Sequence, residues 1–254
     1  MLNELPLEKM ALFVLFANII RYLLIAGIAY LLFYVILKKK ISISKIQLKF
    51  PQNKDYFREI GYSLLTFIVF TLIGIFLYNP YIRPYTQTYY EVNQYGYTYF
   101  FLSFFVILIL HDTYFYWTHR LMHHPKLFKM FHNVHHKSTN PSPWASFSFQ
   151  PTEAFVQGGI FIVFAFLIPL HIYILMAFLL FMTIYNVYGH LGWEIYPKSF
   201  ARSIVGKWLN TSTSHNLHHQ FFKGNYGLYF MFWDKIIGTI NENYKETFEA
   251  IPRP

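Results

Sequence analysis

Histidines carry most of what this sequence could do chemically. Apart from isolated positions they fall in three clusters: His119 with His123 and the adjacent His124, then His132, His135 and His136, and finally His215, His218 and His219. In a helix, residues at i, i+3 and i+4 share one face. His119 and His123 are therefore expected to point the same way, and each HxxHH triplet to offer three imidazoles from a single turn. With His124 set aside, these positions supply more ligands than one ion accepts, about four for zinc and about six for an octahedral ion. The spacing predicts two metals. A ninth candidate is His190, in Tyr188-Gly189-His190-Leu191-Gly192. Glu194, four residues on, is expected either to ligate metal or to orient His190 from behind. Asp112 precedes His119 by two helical turns on the same face, which makes it a candidate acceptor for a ligand N–H or, alternatively, an interfacial partner of Arg120 or a lysine. His111 shares the face of Phe115 and His119 and is a further candidate, whereas the lone His171 and His124 read as structural hydrogen-bonding residues.

Cysteine is absent from the 254 residues, which excludes disulfides, thiolate zinc sites, Cys-ligated iron–sulfur clusters and a Cys nucleophile. A nitrogen-rich pair of sites suits iron or zinc and not magnesium or calcium. Zinc would serve hydrolysis or structure. Iron can activate dioxygen against unactivated C–H bonds, which are what a lipid mainly offers. No nucleotide, haem or iron–sulfur signature is visible, so electrons are expected from a separate partner.

The elements that must position these residues belong to a membrane protein. Hydrophobic residues make up 55% of the chain and charged ones 13%, against about 25% in an average soluble domain. An aromatic fraction of 22% suits membrane interfaces, and the same numbers exclude disorder. Apolar runs long enough for a membrane core predict segments near 10–37, 60–78 and 97–118, and a hairpin of 154–169 and 171–189 bending at Pro169. The expected fold is an all-α membrane bundle of four or five inserted segments, forming one domain over 1–254 with a helical cap that carries the histidines. Arg21, inside the first run, reads as snorkelling or as facing the bundle interior. With the N-terminus outside, 18 of the 21 Lys and Arg residues fall on one side, which predicts that side, and the histidines with it, to be cytoplasmic. The net charge of +9 then reflects topology, and no nucleic-acid partner is needed. A His-rich membrane zinc transporter or sensor is the alternative from another class, although a transporter needs ligands along a path near the midplane and these sit at one end. A two-zinc membrane hydrolase is a third reading.

Over about 110–244 the sequence resembles the fatty acid hydroxylase/sterol desaturase superfamily of membrane di-iron oxygenases. The resemblance rests on Asp112 through His119-Arg-Leu-Met-His123-His124-Pro125, on His132-Asn-Val-His135-His136 followed by Pro143, on His215-Asn-Leu-His218-His219 followed by Gly224-Asn225-Tyr226-Gly227, and on Trp233-Asp234 through Gly238-Thr239. The segment through Pro143, Ala145, Ser146 and Pro151 is most similar to the sterol C-5 desaturase branch and its bacterial relatives. The resemblance implies that His119, His123, His132, His135, His136, His190, His215, His218 and His219 bind two irons, for which zinc can substitute on purification. It implies an O2-dependent hydroxylation or desaturation of a sterol-like or fatty-acyl lipid, with a cytochrome b5 or ferredoxin-type donor, in the bacterial inner membrane or the endoplasmic reticulum. Some fatty-acid hydroxylases of the family have a histidine where this chain has Glu194, so either the carboxylate substitutes or the coordination number drops. Gly224 and Gly227 are expected in a turn after the last ligand helix and Trp233 at the interface. Trp144, Phe147 and Phe149 fit either a lipid channel or an interfacial belt.

Overall fold

A computed structural model describes residues 6–253. Among the described residues four helices are long and apolar enough to cross a membrane. The first, α1 (Leu7–Tyr30), continues in a π-helical stretch to Ile36; α2 is Asn53–Tyr78, α3 is Gly96–Met122, and α6 is Ile172–Gly189. Between them come the short α4 (Pro125–Phe131) and the 17-residue apolar α5 (Pro151–Leu167). The cap is completed by α7 (Ser212–Phe221), α8 (Phe232–Ile237) and α9 (Tyr244–Ala250). The chain is thus an all-α membrane bundle.

Several helices outrun the apolar stretches that announce them, because caps and not hydropathy set where a helix ends. α2 starts at Asn53 and not near 60, where Gln52 and Asp55 form a reciprocal capping box. α3 runs past 118 to Met122, about 40 Å at 1.5 Å per residue, so its last turns emerge from the apolar layer bearing histidines. At the hairpin, α5 ends at Leu167 and α6 begins at Ile172. His171 turns the corner: its Nδ1 accepts from the Tyr173 N–H and its Nε2 donates to the Tyr90 carbonyl. Thr88–Tyr89 pairs in parallel with Leu170–His171, tying the long α2–α3 loop to this bend.

In the bundle α2 packs on α1 and α5, and α6 packs on α1 and α3. Gly158 makes the α2–α5 approach feasible: a Cβ there would lie 2.5 Å from Ile73 Cδ1. Tyr22, Phe67, Ile107, Phe147, Phe164 and Phe178 form the heart of the apolar core.

One short 3₁₀ turn sits deep among the α-helices. The 3₁₀ turn Pro143–Phe147 wedges between α1, α2 and α6, and its polar groups are satisfied from membrane helices. Tyr22 and Ser63 both donate to the Trp144 carbonyl, at 2.8 and 3.1 Å, and Asn186 Nδ2 donates to the Ser146 carbonyl at 2.6 Å. Glu59 accepts from the hydroxyls of Ser138 and Ser142. Isolated polar residues in apolar helices therefore hold the loop that leads from the second histidine cluster into α5. Trp144, partly buried, packs against the core, and Phe147 and Phe149 belong to it, which removes both aromatics from an interfacial belt.

Candidate metal centre

Three segments and one helix end converge on the cap side of the bundle. α3 supplies His119 and, at its C-terminal cap, His123; the helical turn Asn133–His136 and its preceding residue supply His132, His135 and His136; α7 supplies His215, His218 and His219; and His190 caps α6. These nine side chains form two groups. His119, His123, His132, His136 and His218 make one, and His135, His190, His215 and His219 the other, with ligand atoms in each within 4.8 Å of one another. The HxxHH triplets are split between the groups: His135 turns away from His132 and His136, and His218 away from His215 and His219. The two groups are adjacent, since the rings of His136 and His219 stack with centroids 4.8 Å apart.

The proton positions within these groups decide what they can do. His119 Nδ1 donates to the Tyr226 carbonyl (2.8 Å), His132 Nδ1 to Glu153 Oε1 (2.6 Å) and His218 Nδ1 to the Gly224 carbonyl (2.7 Å). In the second group His190 Nδ1 donates to the Asn186 carbonyl (2.7 Å) and His219 Nδ1 to the Ser138 carbonyl (3.0 Å). With the proton assigned to Nδ1, each Nε2 carries a bare lone pair. Those lone pairs point into the two groups, where the Nε2 atoms of His123, His136 and His215 also converge. Nε2 of His123, His136 and His218 form a triangle with 3.1 Å edges, and His215 Nε2 lies 3.1 Å from Nε2 of both His190 and His219. Nε2 of His119 and His132 are buried without any partner. A cation between the nitrogens would serve every one of these lone pairs, including the two on His119 and His132 that meet no donor among the described residues. For metal–nitrogen bonds of about 2.1 Å, ligand atoms are spaced about 3.0 to 3.4 Å in octahedral or tetrahedral sites, so the donor set fits metal ions in both groups.

Burial, and after it the charge on neighbouring imidazoles, holds the ligand-bearing histidines of the cap below the ordinary histidine range. His190 is lowered to about 4 and His123 to about 2. His132, His135, His136, His215, His218 and His219 lie well below their usual value for the same reasons. Neutral imidazole is the form that ligates metal.

The remaining candidates lie outside both groups. Glu194 stands outside both groups, and His190 Nδ1 donates to the Asn186 carbonyl instead; the Glu194 carboxylate accepts from the Tyr188 hydroxyl, the Tyr196 N–H and both the N–H and hydroxyl of Thr213. The first turn of α7 needs acceptors for its free N–H groups, and Glu194 serves there. Asp112 accepts not from an imidazole or from Arg120 but from the N–H groups of Tyr229 and Phe230, at 2.7 and 3.2 Å. The 226–230 segment descends alongside α3, so the same strap gives its Tyr226 carbonyl to His119 and its amides to Asp112. His111 is buried two turns below His119, packed on Phe178 and Tyr229, with Nδ1 unpartnered. His124 is exposed and caps α4 by accepting from the Lys126 N–H.

Gly224 sits at φ +74°, where a Cβ would meet the Thr239 carbonyl at 2.5 Å, and this turn delivers the carbonyl that orients His218. Gly227 is as tightly held, against the Phe230 carbonyl. Trp233 is packed on α3, stacking on Tyr116 and donating to Thr113 Oγ1, and so acts as a strut between α8 and α3. Sequence reasoning missed Glu153, although a lone carboxylate in the first turn of an apolar helix, after Pro151, is a detectable signal. It missed Asn186 in α6 on the same grounds.

The family model described as fatty acid hydroxylase matches residues 104–239, a stretch that contains all nine histidines. The Delta(7)-sterol 5(6)-desaturase ERG3B of Gibberella zeae is 30% identical over 186 residues, 72% of this chain and 55% of that protein. Human lathosterol oxidase is 30% identical over 196 residues, 76% of this chain and 64% of that protein. The Delta(7)-sterol 5(6)-desaturase of Leptosphaeria maculans is 29% identical over 232 residues, 90% of this chain and 60% of that protein. The chain spans less than two thirds of the length of these relatives. No solved structure matches it.

Proposed function

This chain belongs to the fatty acid hydroxylase/sterol desaturase family, and on that premise we propose that it is a membrane oxidoreductase that hydroxylates or desaturates a C–H bond of a sterol-like or fatty-acyl lipid. The observation that carries the reading is the convergence of nine imidazoles into two buried groups whose lone pairs face inward. Their proposed occupants are two irons, held by His119, His123, His132, His136 and His218 and by His135, His190, His215 and His219. Bound there with O2 as oxidant, the pair of irons supplies the power to remove hydrogen from an unactivated C–H bond.

The chain's own residues do the rest. Tyr226, Gly224, Asn186 and Ser138 hold imidazoles through backbone carbonyls, which fixes both ring orientation and tautomer. Glu153 does the same for His132 with a carboxylate, making that imidazole the more electron-rich donor. Phe115 and Phe149, whose rings lie 5.0 and 5.2 Å from His119 and His135, keep water from the membrane side of the site. Hydroxylation consumes O2, two electrons and two protons and returns one water; desaturation returns two. The electrons come from a separate donor of cytochrome b5 or ferredoxin type. The histidine face is proposed to be cytoplasmic because most lysines and arginines lie on that side, with residues 110–244 as the catalytic core of a single 1–254 domain.

Anaerobic purification with metal analysis, followed by mass spectrometry of host lipids with and without the gene, tests the reading. Iron near two per chain and an O2-dependent lipid gain of about 16 mass units, or loss of about 2, is expected. His135→Ala is expected to abolish the lipid change and lower the iron content. Zinc uptake into vesicles with no lipid change would overturn the proposal.

A further inference from the structure

A space open at its side lies between the helices in the half of the bundle away from the histidines. It is a cavity of about 630 Å³ between α1, α2, α5 and α6. It runs from Met10 to Arg21 along α1 and from Ile172 to Met182 along α6, about 16 Å at 1.5 Å per residue. Its wall is almost wholly aliphatic and aromatic, and among the described residues no aspartate or glutamate lines it.

Arg21 stands at its inner end. It is the middle residue of the span Leu7–Ile36, about 21 Å of helix from either end, beyond the reach of a side chain stretching to the interface. Two of its five N–H donors are committed: Nε donates to Thr183 Oγ1 at 2.9 Å, and one Nη2 N–H to Asn18 Oδ1 at 2.7 Å. The remaining donors lie on the outer edge of the fork, the edge that takes a carboxylate two-pronged. Among the described residues no acidic side chain pairs with Arg21. A guanidinium at this depth beside an apolar space is costly without a counter-charge, and the space beside it is the place for one.

The shape of the cavity narrows the occupant: an apolar run of about 16 Å with one guanidinium at its inner end suits a single acyl chain with a small anionic head. We propose that this cavity binds an unesterified long-chain fatty acid, its carboxylate on Arg21 and its chain running toward Met10 and Ile172. Thr183, which holds Arg21, lies seven residues before His190 in α6, about 10 Å along the helix axis. The site is therefore separate from the metal centre and does not depend on how that centre is read. At the opposite end Arg83 lies 5.5 Å from the rings of both Tyr78 and Tyr90, so a lipid held head-outward would depend on Arg83 instead.

Equilibrium binding of radiolabelled palmitate and of 1-hexadecanol to the full chain in detergent tests this. The unaltered protein is expected to bind one palmitate and to prefer it to hexadecanol about ten- to hundredfold, the range of a charge-assisted contact. Arg21→Met is expected to erase that preference while hexadecanol binding stays within a few-fold, and Arg83→Met to leave it intact. Gly74→Leu, placed on the cavity wall, is expected to weaken both ligands. Equal affinity for palmitate and hexadecanol in the unaltered protein, which needs no variant to fold, overturns the proposal. Dependence on Arg83 in place of Arg21 does so too, as does a stoichiometric phospholipid that palmitate fails to displace in native mass spectra.

Discussion

The two histidine groups are built to different specifications. The first has five imidazoles, and one of them, His123, is partly exposed at the end of α3; the second has four, all buried. The first is braced from outside by a carboxylate, Glu153, in addition to backbone carbonyls, whereas the carbonyls of Asn186 and Ser138 brace the second. The first group has one imidazole more and an edge toward water, and the second is buried throughout. The difference teaches that equal-looking histidine motifs need not yield equal sites: the HxxHH triplets give three imidazoles to each group, and the inequality comes from outside them, where α3 adds His119 and His123 to the first group and the end of α6 adds only His190 to the second.

The largest effect is expected from removing an imidazole from the smaller, fully buried group. His215→Ala should take the metal content from two toward one per chain, whereas His123→Ala should leave both ions bound with weaker retention, read by metal analysis after chelator dialysis. Equal losses from both variants would break the comparison. Next in size is the brace on the first group. Glu153→Gln keeps a polar side chain but removes the charge, and a loss of about ten- to hundredfold in affinity for one of the two ions is expected, with the second ion unaffected in a competition titration.

Acid should act on both groups in the metal-free protein. An imidazole held below the ordinary value of about 6.5 cannot take up the proton that the unfolded chain takes up. Stability is then full above about pH 6.5 and is lost as the pH falls from there toward the folded values, about 4 for His190 and about 2 for His123. The thermal midpoint of the metal-free protein should therefore fall steadily from pH 7 to pH 5, and a flat profile would contradict the burial of the imidazoles. The smallest effect concerns the loop beneath the site. Tyr22→Phe removes one of two donors to the Trp144 carbonyl, and Ser63 retains the other, so a cost of about 1 kcal/mol is expected, with a larger one when Ser63→Ala is added. Additive losses from the pair would show that the two bonds do not share the carbonyl.

Much of this site was legible because helical spacing is local. His119 and His123, and the members of each HxxHH turn, are brought together by 3.6 residues per turn and require no tertiary information. Membrane segments were legible for the same kind of reason, since hydropathy integrates over one helix, and the bend before His171 followed from Pro169. The partners of Asp112 and Glu194 were not legible, because a carboxylate near histidines in sequence competes for every N–H that the fold brings past it. Asp112 met the 226–230 strap and Glu194 met the start of α7. Glu153 was overlooked because its partner, His132, is 21 residues away.

The sequence by itself determined that this chain is a helical membrane protein with more imidazoles at one end than one ion can use, because composition and periodicity act over single helices. Only the tertiary structure decided how the nine divide into five and four, which nitrogen of each ring faces inward, and that Arg21 opens onto a cavity. Those outcomes hang on backbone carbonyls and on gaps between helices, and neither leaves a residue type by which to read it.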